Sequence, residues 1–232
     1  MSPDVSVNNG RVSVRIIEAD LNKLRDKLLM MGTMAESAID HAMQALFERN
    51  TEICEQVIAD DDEIDKLENE IDKLATDIMV LRQPAAGDLR FTVTSLHTAP
   101  ILERVADHAV NIAKHVRALN SEPQLKPYID LPTMSAITQE MLRDSMNALT
   151  QGDIELARRT IKKDDQVDDF YHKIYDEVLD LMQREPNTVK RGSELLFVIK
   201  HLERIADYAT NICEMVIYMI EGRIIKHTEE AS

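Results

Sequence analysis

In the first part of the chain, apolar residues fall at alternating spacings of three and four: Leu21, Leu24, Leu28, Met31, Ala35, Ala38, Ala42 and Ala45. This is the spacing of helices wound into a left-handed bundle. The change from Leu to Ala along the seam predicts close helix–helix approach towards its end. Asn50 is placed to cap a second helix, with Ile53, Val57, Ile64, Leu67, Ile71, Leu74 and Ile78 inward. Gln83-Pro84-Ala85-Ala86-Gly87 ends it, because Pro and Gly both oppose helix continuation. Asp88 is expected to cap a third helix running to about Asn120. Ser121–Pro132 contains three prolines and reads as a domain boundary. A fourth helix from Thr133 breaks at Gly152-Asp153, a fifth reaches Pro186, and a sixth spans about Thr188 to Ile225. No period-two alternation suggests a strand. The pattern predicts an N-terminal tail over 1–14, a three-helix bundle over 15–120, a linker over 121–132, a second bundle over 133–226 and a tail over 227–232.

The two halves repeat each other. Leu102–Val116, LERVADHAVNIAKHV, returns as Leu202–Val216, LERIADYATNICEMV, with nine of fifteen positions identical. Earlier in each half the offset is 103: Ala45-Leu46 matches Ala148-Leu149, and Asp61-Asp62-Glu63-Ile64-Asp65 matches Asp164-Asp165-Gln166-Val167-Asp168. The difference falls in the turn between second and third helices. The chain is therefore expected to be all-α, with two tandem three-helix bundles related by internal pseudo-twofold symmetry.

On a helical projection Glu103, Arg104, Asp107 and Asn111 form one polar arc, with Lys114, His115 and His108 beside them. In the second copy Lys114, His115 and His108 become Glu214, Met215 and Tyr208, while Glu203, Arg204, Asp207 and Asn211 are kept. Asp61 and Asp65 share a helix face, as do Asp164 and Asp168. The centres of Asp61/Asp65 and Glu103/Asp107 are equidistant from Pro84. An antiparallel helix pair therefore brings them to one height, about 30 Å from the turn at 1.5 Å per residue. The second half does the same around Pro186. Such crowding calls for neutralisation by Arg104 and Arg204, by protonation, or by cations. Carboxylates with an Asn carbonyl suit hard or borderline cations such as Mg²⁺, Ca²⁺, Mn²⁺ or iron. No His or Cys recurs at a matched position, which argues against a zinc site of N/S ligands. His41, His97, His172 and His201 are read as structural. The alternative is a solvated face with no specific ion, the usual meaning of an amphipathic strip.

Composition narrows the class. The 232 residues carry 27 Lys+Arg against 42 Asp+Glu, a net charge of -15, which disfavours nucleic acid and anionic membranes as partners. No apolar run is long enough to span a bilayer, and the start of the chain lacks the apolar core of a signal peptide. Two isolated cysteines, Cys54 and Cys213, fit a reducing cytoplasm. No nucleophile elbow, P-loop or dinucleotide fingerprint is present, so a non-enzyme is expected. A carboxylate-bridged di-metal oxidase or metal-storage bundle is the alternative. Ferritin-like sites, however, use Glu-x-x-His, and this chain has none.

The two LER[VI]AD…N blocks, the two DxxxD blocks and the turn Gln83–Arg90 resemble the PhoU family of phosphate-transport accessory and regulatory proteins. The resemblance covers nearly the whole chain after residue 15. It departs at Ala106 and Ala206, where the family often has Gly. It implies metal clusters on the bundle surfaces, with Asp61, Asp65, Glu103, Asp107 and Asn111 in one unit and Asp164, Asp168, Glu203, Asp207 and Asn211 in the other. The metal is left open among Fe, Mn, Mg, Ca and Zn. It also implies a cytoplasmic homodimer that restrains phosphate uptake and phosphate-starvation signalling. The implied partners are the ATPase subunit of the phosphate ABC transporter and a sensor histidine kinase.

Overall fold

The computed structural model describes residues 6–222, with side chains from Ile16 onward. The expected C-terminal tail and the last turn expected of the sixth helix lie outside the described residues. The order is α1 (Ser6–Phe47), α2 (Thr51–Ala59), α3 (Asp61–Asp77) with a π-helical extension Ile78–Arg82, α4 (Ala86–Asn120), α5 (Leu131–Gln151), α6 (Ile154–Ile161), α7 (Asp164–Arg184), a 3₁₀ turn Pro186–Thr188, and α8 (Val189–Glu221). No strand occurs among the described residues. The architecture is the all-α tandem pair of bundles that the repeat predicts. The first bundle packs α1, α2/α3 and α4 together, and the second packs α5, α6/α7 and α8.

Long-range contacts fix the directions. Arg82 pairs with Asp20 at 2.8 Å and Lys27 with Glu70 at 2.5 Å, so α3 runs antiparallel to α1. Arg25 lies 5.0 Å over the Phe91 ring, and Asn120 donates to the Ala45 carbonyl at 3.0 Å, so α4 returns parallel to α1. The two bundles meet along α4 and α8, with α1 also against α5. Arg90 Nε donates to the Met219 carbonyl at 2.6 Å, His108 meets His201, and His115 meets Glu194. These pairs share one antiparallel register, centred between residues 104 and 105 on α4 and their counterparts 204 and 205 on α8. That is the pseudo-twofold axis. The small residues Ala106, Ala109 and Ala113 of α4, with Ala206 and Ala209 of α8, are at most 1% exposed, in one core continuous through both units.

Several boundaries differ from the sequence expectation. α1 already runs at Ser6, within the expected tail. The single helices expected after Asn50 and Gly152-Asp153 are each two, interrupted at Asp60 and at Lys162-Lys163. Asp60 and Lys163 are repeat counterparts, so the interruption is itself duplicated. Asn50 does cap, accepting from the Glu52 N–H, and Asp153 does the same for Leu156. Asp88 is not the cap of α4: the helix starts one turn earlier, with Ala85 as N-cap, and Asp88 sits in the first turn, where its charge suits the helix dipole. Gly87 is already helical; Gln83, left-handed at φ 49, and buried Pro84 make the stop. α8 ends at Glu221, with Gly222 left-handed at φ 70. In α1 the buried seam includes Ile39 at 0% exposure, whereas Ala38 is half-buried. A 3.6-residue helix drifts off a strict seven-residue repeat.

Two glycine substitutions test this local reading in opposite directions. Gly152 ends α5 at φ 67, and a Cβ there would lie 3.2 Å from Ile220 Cδ1. Gly152→Ala should therefore cost about 1–2 kcal/mol in urea unfolding. Gly87 is helical with nothing within 4 Å of a built Cβ. Gly87→Ala should be neutral or stabilise by roughly 0.5–1 kcal/mol.

Candidate metal centres

The break at Asp60 lets α3 start with its acids at the base of a new helix. Asp61, Asp62 and Glu63 occupy its first turn, where a helix N-terminus favours negative charge. One turn on comes Asp65, on the same face as Asp61. α4 runs past in the opposite direction and turns its apolar arc inward: Leu102, Val105, Ala106, Ala109 and Ile112 are all buried. Glu103, Asp107 and Asn111 are left outward, half-buried or exposed.

The two acidic motifs meet at the height that symmetry about Pro84 demands. Burial pushes the Asp61 carboxyl above its ordinary range, and the charges of Asp107 and Asp65 add to this, with Lys114 opposing. Glu103 is raised by burial and then by Asp107, Glu68 and Asp65, with Arg104 opposing. Glu68 is raised by burial, Asp65 and Asp72. Four expected donors, Asp61, Asp65, Glu103 and Asp107, therefore share one electrostatic patch. Glu68 and Asp72 extend it, and no repeat argument could find them, because their counterparts are Tyr171 and Tyr175. Asn111 stands one turn beyond Asp107, half-buried on α4.

The second patch has the same frame, with two of its cations in direct ion pairs. Asp168 is raised by burial and by Asp207, with His172 and Lys200 opposing. Lys200 bonds Glu203 at 2.6 Å, and Arg204 bonds Asp207 at 3.0 Å. Arg204, Asp207, Tyr208 and Asn211 line a small cleft. Asp164 opens α7. In the first unit Pro100 stands where Lys200 would be, and neither Glu103 nor Asp107 forms an ion pair among the described residues. Arg104 is exposed and acts on Glu103 and Glu68 only through space.

The donor types suit a hard cation: carboxylate oxygens with an amide carbonyl nearby. No three His, Cys, Asp or Glu side chains among the described residues converge into a ready-made cage.

A second polar cluster lies on the seam between the repeats. His108 Nδ1 and His201 Nδ1 are 2.7 Å apart, so one neutral ring donates to the other. His115 Nδ1 meets Glu194 Oε2 at 2.7 Å and stacks on Phe197 with ring centroids 4.8 Å apart. Burial, followed by the neighbouring His108 and His115, depresses His201 to about 4. From sequence alone, His201 is an isolated structural residue. Its partners come from the other repeat at unmatched positions, visible only once the register of α4 on α8 is known.

The model of the PhoU domain matches this chain twice, over residues 28–116 and 131–216. The chain belongs to the PhoU family. Relatives extend over nearly all of it. A phosphate-specific transport system accessory protein PhoU homolog of Aquifex aeolicus is 41% identical over 208 residues, spanning 90% of this chain and 94% of that protein. A second such homolog, from Thermotoga maritima, is 34% identical over 91% of this chain and 90% of its own length. The crystal structure of PhoU from Pseudomonas aeruginosa superposes with a TM-score of 0.85 at 31% identity, covering 89% of this chain and 99% of that one. The phosphate transport system regulatory protein PhoU from Streptococcus pneumoniae gives 0.83 at 28% identity, covering 90% and 99%. The two PhoU domains start and end at repeat counterparts, 28 with 131 and 116 with 216, and each contains one acidic patch.

The seam carries a pH prediction. The folded-state value of His201 lies below its unfolded value, so its stabilising share is present above the unfolded value near 6.5 and is lost as pH falls towards about 4. His201 is only half-buried, and solvent screening holds the loss to about 1–2 kcal/mol. His201→Ile, which copies Ile101 of the first repeat, should reduce the pH slope of unfolding free energy between these values, with His108 keeping its own share. An unchanged slope would show that His201 titrates normally.

Proposed function

We propose that this protein is a non-catalytic negative regulator of phosphate uptake and of phosphate-starvation signalling. It acts as an adaptor that carries cations on two outward-facing acidic patches. The observation that supports this most is the pairing of two PhoU domains with two outward acidic faces, in a chain whose relatives over nine-tenths of its length are named as accessory proteins of phosphate-specific transport. Its partners are the ATPase subunit of the phosphate ABC transporter and a sensor histidine kinase, met at the cytoplasmic side, with the protein itself a homodimer. No helix among the described residues is long and apolar enough to cross a membrane. That suits docking onto membrane proteins rather than insertion beside them.

In the first unit Asp61, Asp65, Glu103, Asp107 and Asn111 would hold the cation. In the second, Asp164, Asp168, Glu203, Asp207 and Asn211 would do so. The cation supplies neutralising charge. Arg104 and Arg204 set how much neutralisation each patch already has. A carboxyl whose folded-state value is raised above its unfolded value lowers stability at neutral pH, and that deficit is relieved as pH falls through the folded value. Asp61, Glu103 and Asp168 are all of this kind. A bound cation relieves the same deficit without acid, so divalent cations should raise the melting temperature at pH 7. The gain should shrink as pH falls into the carboxylate range, where protons compete for the ligands.

Two measurements test the reading. In a phosphate-replete bacterium lacking its own PhoU, expression of this chain should restore repression of phosphate-starvation genes; failure to repress despite normal expression would overturn the regulatory assignment. Asp65→Asn with Asp107→Asn removes two charges at constant shape. This variant should lower metal per chain by about half, with helicity unchanged and metal-free stability equal or higher. Undiminished metal content would mean that the first patch is a solvated face.

A further inference from the structure

The two repeats differ at one place in a way that points to a ligand. Behind the first unit's Asp60 break lies a cavity of about 210 Å³, room for roughly seven waters. Its floor is apolar, formed by Ala38 and Met34 of α1, Val57 of α2, Ile64 of α3 and Val110 of α4. Its rim is acidic, with Asp60, Asp61 and Glu63 on one side, Asp60 accepting from Gln56 at 2.7 Å and Glu63 paired with Lys66 at 2.5 Å, while Ser37 and His41 complete the wall.

The second unit shows what occupies the same place there. The counterpart of Asp60 is Lys163. Its ammonium reaches Glu140, the counterpart of Ser37, at 2.8 Å and Asp144, the counterpart of His41, at 2.7 Å. The counterpart of Ala38 is Met141, fully buried at 0% exposure. In the second repeat, a lysine side chain with two carboxylate partners and a fully buried methionine stand at positions equivalent to those that line the first repeat's cavity. In the first repeat the lysine is replaced by an acid, the methionine by alanine, and the space stays open.

We infer that the first unit's cavity binds a primary alkylammonium group: a short methylene chain over the Ala38–Val57–Ile64 floor, with its –NH₃⁺ at the rim of Asp60, Asp61 and Glu63. Such a group is an amphipathic cation, and the site has the two matching surfaces. Apolar burial holds the stem, as long basic side chains do elsewhere when only their head stays polar. Asp61 and the second oxygens of Asp60 and Glu63 take the three ammonium donors. The chemistry is shared by a lysine side chain of a docking protein and by a free diamine. The site overlaps the proposed metal donors at Asp61 alone; Asp60, Glu63 and the whole apolar floor lie outside them.

The test is a titration of the full chain, observed through the methyl signal of Met34 by NMR. The probes are Nα-acetyl-lysine amide, which models a protein side chain, and 1,5-diaminopentane, with 1-pentanol and acetate as controls for stem and charge. The expected result is saturable, millimolar binding of at least one amine and none of the controls. A tighter acetyl-lysine amide assigns the site to a protein side chain; a tighter diamine assigns it to a free amine. Ala38→Met copies the second unit and should weaken binding by about tenfold or more while helicity and melting temperature hold. Asp60→Asn with Glu63→Gln keeps the volume and should weaken it severalfold, so the inference does not depend on the folding of one variant. No saturable shift with either amine up to about 50 mM, or binding unchanged in both variants, would overturn it.

Discussion

α4 has too many partners for its circumference. It must bury one face against α1, another against α2 and α3, and a third against α8. Fifteen of its residues are buried as a result, and the polar strip left over is narrow. That constraint explains why Glu103, Asp107 and Asn111 stand in a line. They sit where α4 has no neighbour to cover it, beside the one other helix, α3, that starts with acids at the same height. α8 is held by the same rule in the second bundle. The antiparallel seam then ties the two strips to one axis, and an exact α4–α8 register becomes a condition for the geometry of both patches.

The repeat preserved the frame and let the electrostatics diverge. Lys200 against Glu203 and Arg204 against Asp207 give the second patch its own counter-charges. Lys200 also lies 5.3 Å over the Tyr171 ring, at the position where the first unit has Glu68. The first patch has Pro100 in place of that lysine and two further carboxylates, Glu68 and Asp72, in place of two tyrosines. Exposed ion pairs contribute little to stability, yet they decide how strongly a surface draws an external cation. Under the proposed cation binding, the first unit would be the stronger sink. The same divergence marks the helix breaks, where Lys163 with its two carboxylate partners stands at one and an open cavity at the other.

The repeat, the antiparallel register about Pro84 and the outward acidic strip were legible in the residues, because each follows from spacing alone. The interruptions at Asp60 and Lys163 were not. Neither has Gly or Pro, and the apolar phase passes from Val57 to Ile64 in seven residues, as an unbroken helix would show. Asp88 is a good cap in isolation, while buried Pro84 sets the start of α4 earlier. The α1 seam was read as a strict heptad, which puts Ala38 inward where a 3.6-residue helix turns Ile39 in. Glu68, Asp72 and the His108–His201 pair were illegible for another reason: they break the internal symmetry, and symmetry was the only long-range signal in the sequence.

The central claim is that two patches placed alike by the fold are unequal in their demand for cations. The direct measurement is a titration of metal-depleted protein with Mn²⁺, following paramagnetic broadening of backbone amide signals in each unit. The account predicts that signals around Asp61, Asp65 and Asp107 broaden first and saturate at lower Mn²⁺ than those around Asp168 and Asp207. Equal saturation of both units, or earlier saturation of the second, would contradict it.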